Sequence, residues 1–130
     1  MSNKRLLWLK GILVAKVVLC FLFWGLPNLF FPLPLLHRLG APTPSDPIYL
    51  RLLGAVILAF GVAYWYAYID PIKNVAILKA GIVDNGLTTL ATLYFVLFAN
   101  LRSTPMVISA VLTFIFFVAF ILLMPKNEAA

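Results

Sequence analysis

Four stretches of this chain, residues 7–26, 48–69, 75–99 and 105–124, are almost uninterrupted runs of apolar side chains. Each is close to the ~20 residues that an α-helix needs to cross the ~30 Å hydrocarbon core of a bilayer at a rise of ~1.5 Å per residue. Only helices and closed barrels satisfy their backbone polar groups in lipid, so runs of this length predict helices. The composition agrees: 64% of the residues are apolar, 11% are charged and the mean hydropathy is +1.05. Soluble domains contain roughly 45–50% apolar residues. The chain reads as an all-α integral membrane four-helix bundle, a single transmembrane domain spanning residues 1–130 that belongs in a cell membrane.

The run boundaries carry helix punctuation. Pro27 follows the first run, and Asp46-Pro47 offers an N-cap and a first-turn proline to the second. Asp70-Pro71 ends that run and can cap the third, which predicts a tight hairpin. Thr104-Pro105 opens the fourth run and Pro125 closes it. Lys4 and Arg5 precede an apolar stretch as in a signal peptide, but Lys10 and Lys16 interrupt it and no small-x-small cleavage pattern precedes "FLFWGLPNLFF". The first run is therefore expected to be a retained helix. The long connection, "PNLFFPLPLLHRLGAPTPSDP", carries prolines 27, 32, 34, 42, 44 and 47, which exclude a regular helix over its whole length. Its apolar first half is expected to lie along the membrane or fold back onto the bundle, and its second half to be a linker.

Orientation follows from the basic residues. With the amino terminus inside, Lys4, Arg5, Lys10, Lys16, Lys73, Lys79 and Lys126 fall on the cytoplasmic side. Arg38, Arg51 and Arg102 fall on the other. The positive-inside rule then predicts cytoplasmic termini. "YWYAY" at 64–68 would form an interfacial girdle, with Trp24, Phe30 and Phe31 at the opposite interface and Arg51, Trp65, Tyr66 and Lys79 as anchors. His37 and Arg38 read as solvated or headgroup-contacting residues. The net charge of +6 is spread over run ends and forms no stripe, so the expected partner is the lipid bilayer and not nucleic acid.

Two ladders at spacing four predict packing faces. One is Ala55, Ala59, Ala63 and Ala67; the other is Ala76, Ala80, Asp84, Thr88 and Thr92, with Gly81, Asn85 and Thr89 beside it. Small residues mark where helices approach in lipid. Ile82, Leu90, Tyr94 and Leu97 would then face acyl chains. Asp84 would lie roughly 7–8 Å deeper than Lys79 and Lys16 roughly 9 Å deeper than Lys10, at similar depth. A lone charge at that depth costs about 2.5–3.5 kcal/mol, so Lys16 is expected to pair with Asp84, assisted by Asn85, Thr88 and Thr89. Two readings follow. In one, the pair locks two helices together. In the other, Asp84, Lys16, Asn85, Thr88 and Thr89 form the site of a small proton- or ion-coupled transporter, completed by a dimer. Ser109 and Thr113 can bond across the bundle or back to their own helix.

Enzyme signatures are missing: the sequence holds no phosphate-cradling glycine loop, no nucleophile with a base and no Cys/His cluster, since Cys20 and His37 are single. No cofactor or metal is expected. "RLLGAVILAFGVAYW" at 51–65, where an arginine opens a helix with glycines seven apart, followed by "GIVDNGL", resembles small bacterial four-helix inner-membrane proteins of the DoxX-like type. That resemblance implies a bacterial inner-membrane location and, for some members, a role as accessory partner of a redox enzyme. The expected function is a small non-enzymatic accessory or assembly subunit that packs against another membrane protein or itself. The alternatives are the Asp84 transporter and a quinone- or lipid-binding helper of a membrane redox complex.

Overall fold

A computed structural model describes residues 1–126; all regular secondary structure among them is helical, with no strand. The elements are α1 (Asn3–Leu19), a π-helical turn (Cys20–Gly25), α2 (Leu26–Phe30), α3 (Leu33–Arg38), α4 (Ile48–Ile69), α5 (Val75–Phe98) and α6 (Thr104–Leu123). Four helical stretches are long and apolar enough to cross a membrane: Asn3–Phe30, Ile48–Ile69, Val75–Phe98 and Thr104–Leu123. The last three begin and end within a residue or so of their expected limits.

The first differs. Pro27 was expected to end it, yet the helix runs on through Pro27 to Phe30. Within a helix a proline lacks the N–H and its ring crowds the carbonyl of residue i−4, here Phe23. The wider π turn over Cys20–Gly25 immediately before it moves that carbonyl out of the way. Gly25 is required inside this turn, because a Cβ there would collide with the Cys20 carbonyl and come within 2.6 Å of Leu58 Cδ2.

The long connection folds back as its apolar first half predicts. α3 buries Leu36 and ends in a Schellman motif: Gly40, at φ 81°, donates to the His37 carbonyl at 3.0 Å, and Ala41 donates to the Leu36 carbonyl at 3.0 Å. Residues 41–47 form the linker. Asp46 Oδ1 then accepts the Ile48 N–H at 3.1 Å and starts α4. Asp70 closes α4, and its Oδ1 accepts the Lys73 N–H at 3.1 Å in the turn to α5. Asn100 takes the left-handed conformation (φ 56°) that turns α5 toward α6, and Arg102 Nε donates to the Val96 carbonyl at 3.2 Å.

The helices pack most closely as two pairs, α1–α2 with α4 and α5 with α6. α1 also meets α6, and Arg5 donates to the carbonyls of Leu122 and Met124, so the two ends of the described chain lie together. The core is Leu9, Leu13, Cys20, Tyr64, Ala67, Leu78, Phe116 and Phe120.

The spacing-four ladders are not the packing faces. At about 100° per residue, a step of four overshoots a full turn by about 40°, so such a row winds around the helix. Ala55 and Ala59 are exposed, Ala63 is intermediate and only Ala67 is buried. The inward face of α4 is Gly54, Gly61, Tyr64 and Ala67, spaced seven, three and three. On α5 it is Leu78, Gly81, Asn85 and Thr89. Ala76 and Ala80 are exposed, while Asp84, Thr88 and Thr92 sit at the edge of the interface. Leu90, Tyr94 and Leu97 do face outward, but Ile82 packs against the core. Gly54 marks the tightest approach, where a Cβ would come within 2.6 Å of the Leu29 backbone nitrogen and 2.9 Å of the Gly25 carbonyl.

Candidate functional site

Lys16 is the centre of the polar site. It is buried at 3% exposure, at the last turn of α1, and its Nζ donates to Asn85 Oδ1 at 2.7 Å. The expected Lys16–Asp84 ion pair does not form; among the described residues the ion pair is Lys73–Asp70. The reason is the helix phase. Asn85, not Asp84, lies on the inward stripe of α5 with Gly81 and Thr89, and one residue rotates a side chain by about 100°.

Three aromatic faces surround the same ammonium. Its Nζ lies 4.9 Å from the Trp24 ring centroid, 5.6 Å from Tyr64 and 4.8 Å from Phe116. These distances are within the ~6 Å range at which ring quadrupoles attract a cation. The rings come from the π turn, α4 and α6, and the amide comes from α5. One charge therefore touches all four spans. Tyr64 reaches this position because residue 81 is glycine: a Cβ there would sit 2.8 Å from the Tyr64 hydroxyl. Phe120 stacks on Tyr64 with ring centroids 5.7 Å apart and supports the cage from below.

A hydroxyl network continues from Asn85. Its Nδ2 donates to the Gly81 carbonyl at 2.7 Å, and Thr89 Oγ1 lies 2.7 Å from the Asn85 carbonyl and 2.9 Å from Thr113 Oγ1. Thr113 donates to the Ser109 carbonyl at 2.8 Å, and Ser109 Oγ accepts the Trp24 indole N–H at 2.9 Å. Thr113 and Ser109 thus bond both across the bundle and along it.

Beside this network lies a cavity of about 530 Å³ between the two helix pairs. Lys16, Asn28, Asp84, Thr88, Thr92, Ser109 and Thr113 supply polar groups to it. Apolar side chains, among them Phe23, Ile57, Phe60 and Met106, form most of the remaining wall, and Leu36, Leu39, Ala41 and Pro42 of the long connection cover one side. Leu22, Leu53 and Val56 continue the wall onto the outer surface, where they are 66%, 49% and 54% exposed. The cavity therefore communicates with the surface that an apolar solvent would bathe.

The five candidate polar residues divide between these two features. Lys16, Asn85 and Thr89 form the buried network; Asp84 and Thr88 line the cavity at intermediate exposure. Of the expected interface anchors, Trp65, Tyr66 and Lys79 are exposed. Arg51 turns inward and donates from Nη1 to the Asn28 carbonyl at 3.0 Å, tying the start of α4 to α2. Trp24 and Tyr64, expected in the two interfacial girdles, face the interior instead. His37 and Arg38 are exposed. Phe116 had no sequence signal of its own beyond following Ser109 and Thr113 on one face of α6.

No protein-family model, no curated protein and no solved structure matches this chain.

Proposed function

We propose that this chain is a small, multi-pass cell-membrane protein that works by binding and not by covalent chemistry, holding an amphiphilic molecule drawn from the bilayer. The observation that carries this reading is the cavity: about 530 Å³, largely apolar, with charged and hydroxyl side chains from α1, α5 and α6 in its wall. Sites for drug-sized ligands have this character, a mostly apolar concavity with a few placed polar groups. Its continuity with the outer surface through Leu22, Leu53 and Val56 gives a lipid-borne molecule a way in. The lipid-binding helper suggested by the DoxX-like resemblance fits this reading, with cytoplasmic termini in a bacterial inner membrane.

Asp84 acts here as a ligand contact and not as a lock, because the lock is Lys16 with Asn85. The test is native mass spectrometry of the protein released from nanodiscs. A co-released small amphiphile is expected, and Thr88→Phe, which fills the cavity, should abolish it. Retention of the same molecule by the filled variant would refute the reading.

A second reading, an accessory subunit that packs against a larger partner or itself, is favoured by Ala55, Ala59, Ala76 and Ala80, which are exposed and so leave small-residue surface unused inside the chain. In lipid such a surface lets another helix approach closely. A stable monomer in mild detergent with no copurifying chain would count against it.

A further inference from the structure

Resting on the cavity-binding reading, we propose that the ligand is amphipathic along its length: an elongated, membrane-soluble molecule with two hydroxyl groups on one flank and an apolar opposite flank. The placement of the cavity's hydroxyl side chains carries this. α5 and α6 are antiparallel neighbours, and the Thr89–Thr113 contact at 2.9 Å sets their register. Counted from that contact, Ser109 falls within about a residue of the level of Thr92, and Thr113 within about a residue of Thr88. The two levels are four residues apart on each helix, roughly 6 Å along the axis. All four hydroxyl residues line the cavity, so the α5–α6 wall presents two polar levels, one above the other. The α4 wall across the cavity contributes Leu50, Leu53, Val56, Ile57 and Phe60, and no polar side chain.

The charged groups below these levels meet partners within the chain. Lys16 is held by Asn85 and the aromatic cage, and Asp84 has the buried Tyr64 hydroxyl within reach. The choice among ligands therefore falls to the hydroxyls, and their protons decide it. Thr92 and Thr113 turn theirs back to the Thr88 and Ser109 carbonyls, each at 2.8 Å, and so face the cavity as acceptors. Ser109 Oγ accepts from Trp24, and its own proton has no acceptor among the described residues; the Thr88 hydroxyl has no partner among them at all. Each level thus combines one unused donor with one acceptor: Ser109 with Thr92, and Thr88 with Thr113. A hydroxyl both accepts and donates and matches such a level, whereas an ether or carbonyl only accepts and an ammonium only donates. A lipid with its polar group at one end would match one level and set methylenes against the other.

The full chain in nanodiscs is offered an equal mixture of two neutral 5β-cholane-3,12-diols that differ only at C12. The 3α,12α diol carries both hydroxyls on one face, and the 3α,12β diol carries them on opposite faces. One epimer is deuterated, so native mass spectrometry of the released protein reads the ratio bound, corrected by the ratio taken up by empty nanodiscs. The 3α,12α diol is expected in about fivefold excess, as one additional hydrogen bond implies. Thr88→Val removes a hydroxyl that bonds nothing in the chain, so it should fold as the parent does and bring the excess below about twofold; Ser109→Ala should do the same at the other level. An equal ratio in the parent, an excess of the 3α,12β diol, or an undiminished excess in either variant would overturn the two-level assignment and leave the cavity reading intact. Retention of dodecanol, a head-and-tail alcohol, with neither diol would do so too. No retention of any of the three, or undiminished retention in Thr88→Phe, would overturn the cavity reading and this proposal with it.

Discussion

Lys16 Nζ stands 2.7 Å from Asn85 Oδ1, and the carboxylate one residue earlier, Asp84, is left facing the cavity. The adjacent positions 84 and 85 thus carry different work. Asn85 satisfies a buried charge; Asp84 lines the cavity wall without an ion pair among the described residues. Removing an acceptor from a buried charge costs the desolvation that it had offset, whereas an Asp→Asn change at a half-buried position with no ion pair keeps an acceptor in place and costs little.

Asn85→Leu is therefore expected to destabilise the fold by about 2–3 kcal/mol, because the ammonium keeps its burial and loses its one side-chain acceptor. Asp84→Asn should change stability by less than about 0.5 kcal/mol. Lys16→Met/Asn85→Leu should recover most of the loss, since an apolar pair of similar volume leaves no charge to satisfy. Unfolding in mild detergent, followed by circular dichroism, gives the order; a larger loss for Asp84→Asn than for Asn85→Leu would reverse this assignment.

Close backbone approach at α4 makes a second prediction. Gly54→Ala forces a methyl against the Leu29 nitrogen and the Gly25 carbonyl, neither of which can rotate away, so a cost of about 1–3 kcal/mol is expected. Ala59→Val, on the exposed side of the same helix, should fall within about 0.5 kcal/mol of the parent. Comparable losses at the two positions in detergent-solubilised monomer would show that the inward face has been assigned wrongly.

The Arg51 guanidinium holds the Asn28 carbonyl on α2 and so ties α4 to the helix that continues past Pro27. Arg51→Ala should cost about 1.5–3 kcal/mol, the range for a hydrogen bond to a charged group. Arg51→Lys should recover only part of it, because a single ammonium lacks the planar fork. If both variants match the parent in thermal stability, Arg51 serves the membrane surface instead.

Orientation is tested with the single native cysteine removed. On a Cys20→Ser background, Ser45→Cys in the linker should react with a membrane-impermeant maleimide applied to intact cells. Lys73→Cys, in the turn between α4 and α5, should react only after lysis. The opposite pattern would place the termini outside and overturn the charge-based orientation.

Much of this architecture was written locally. The number of spans and the limits of the last three follow from run length and from Asp46, Asp70 and the prolines that flank them, because crossing length and helix capping depend on neighbours in sequence; the first span, which continues through Pro27, does not obey its proline. The polar patch at 84–89 and the charge at Lys16 were visible for the same reason: ionisable groups are rare in apolar runs. Rotation of each helix was not visible. A row such as Ala55, Ala59, Ala63 and Ala67 drifts by about 40° per step, and only packing against neighbours selects which arc of it is buried. That selection put Asn85 on Lys16 in place of Asp84, and brought Trp24 and Tyr64 out of the expected girdles onto the ammonium. The cavity is likewise a property of the assembled bundle: it is the space left between two closely packed helix pairs, and no single segment of the chain encodes it.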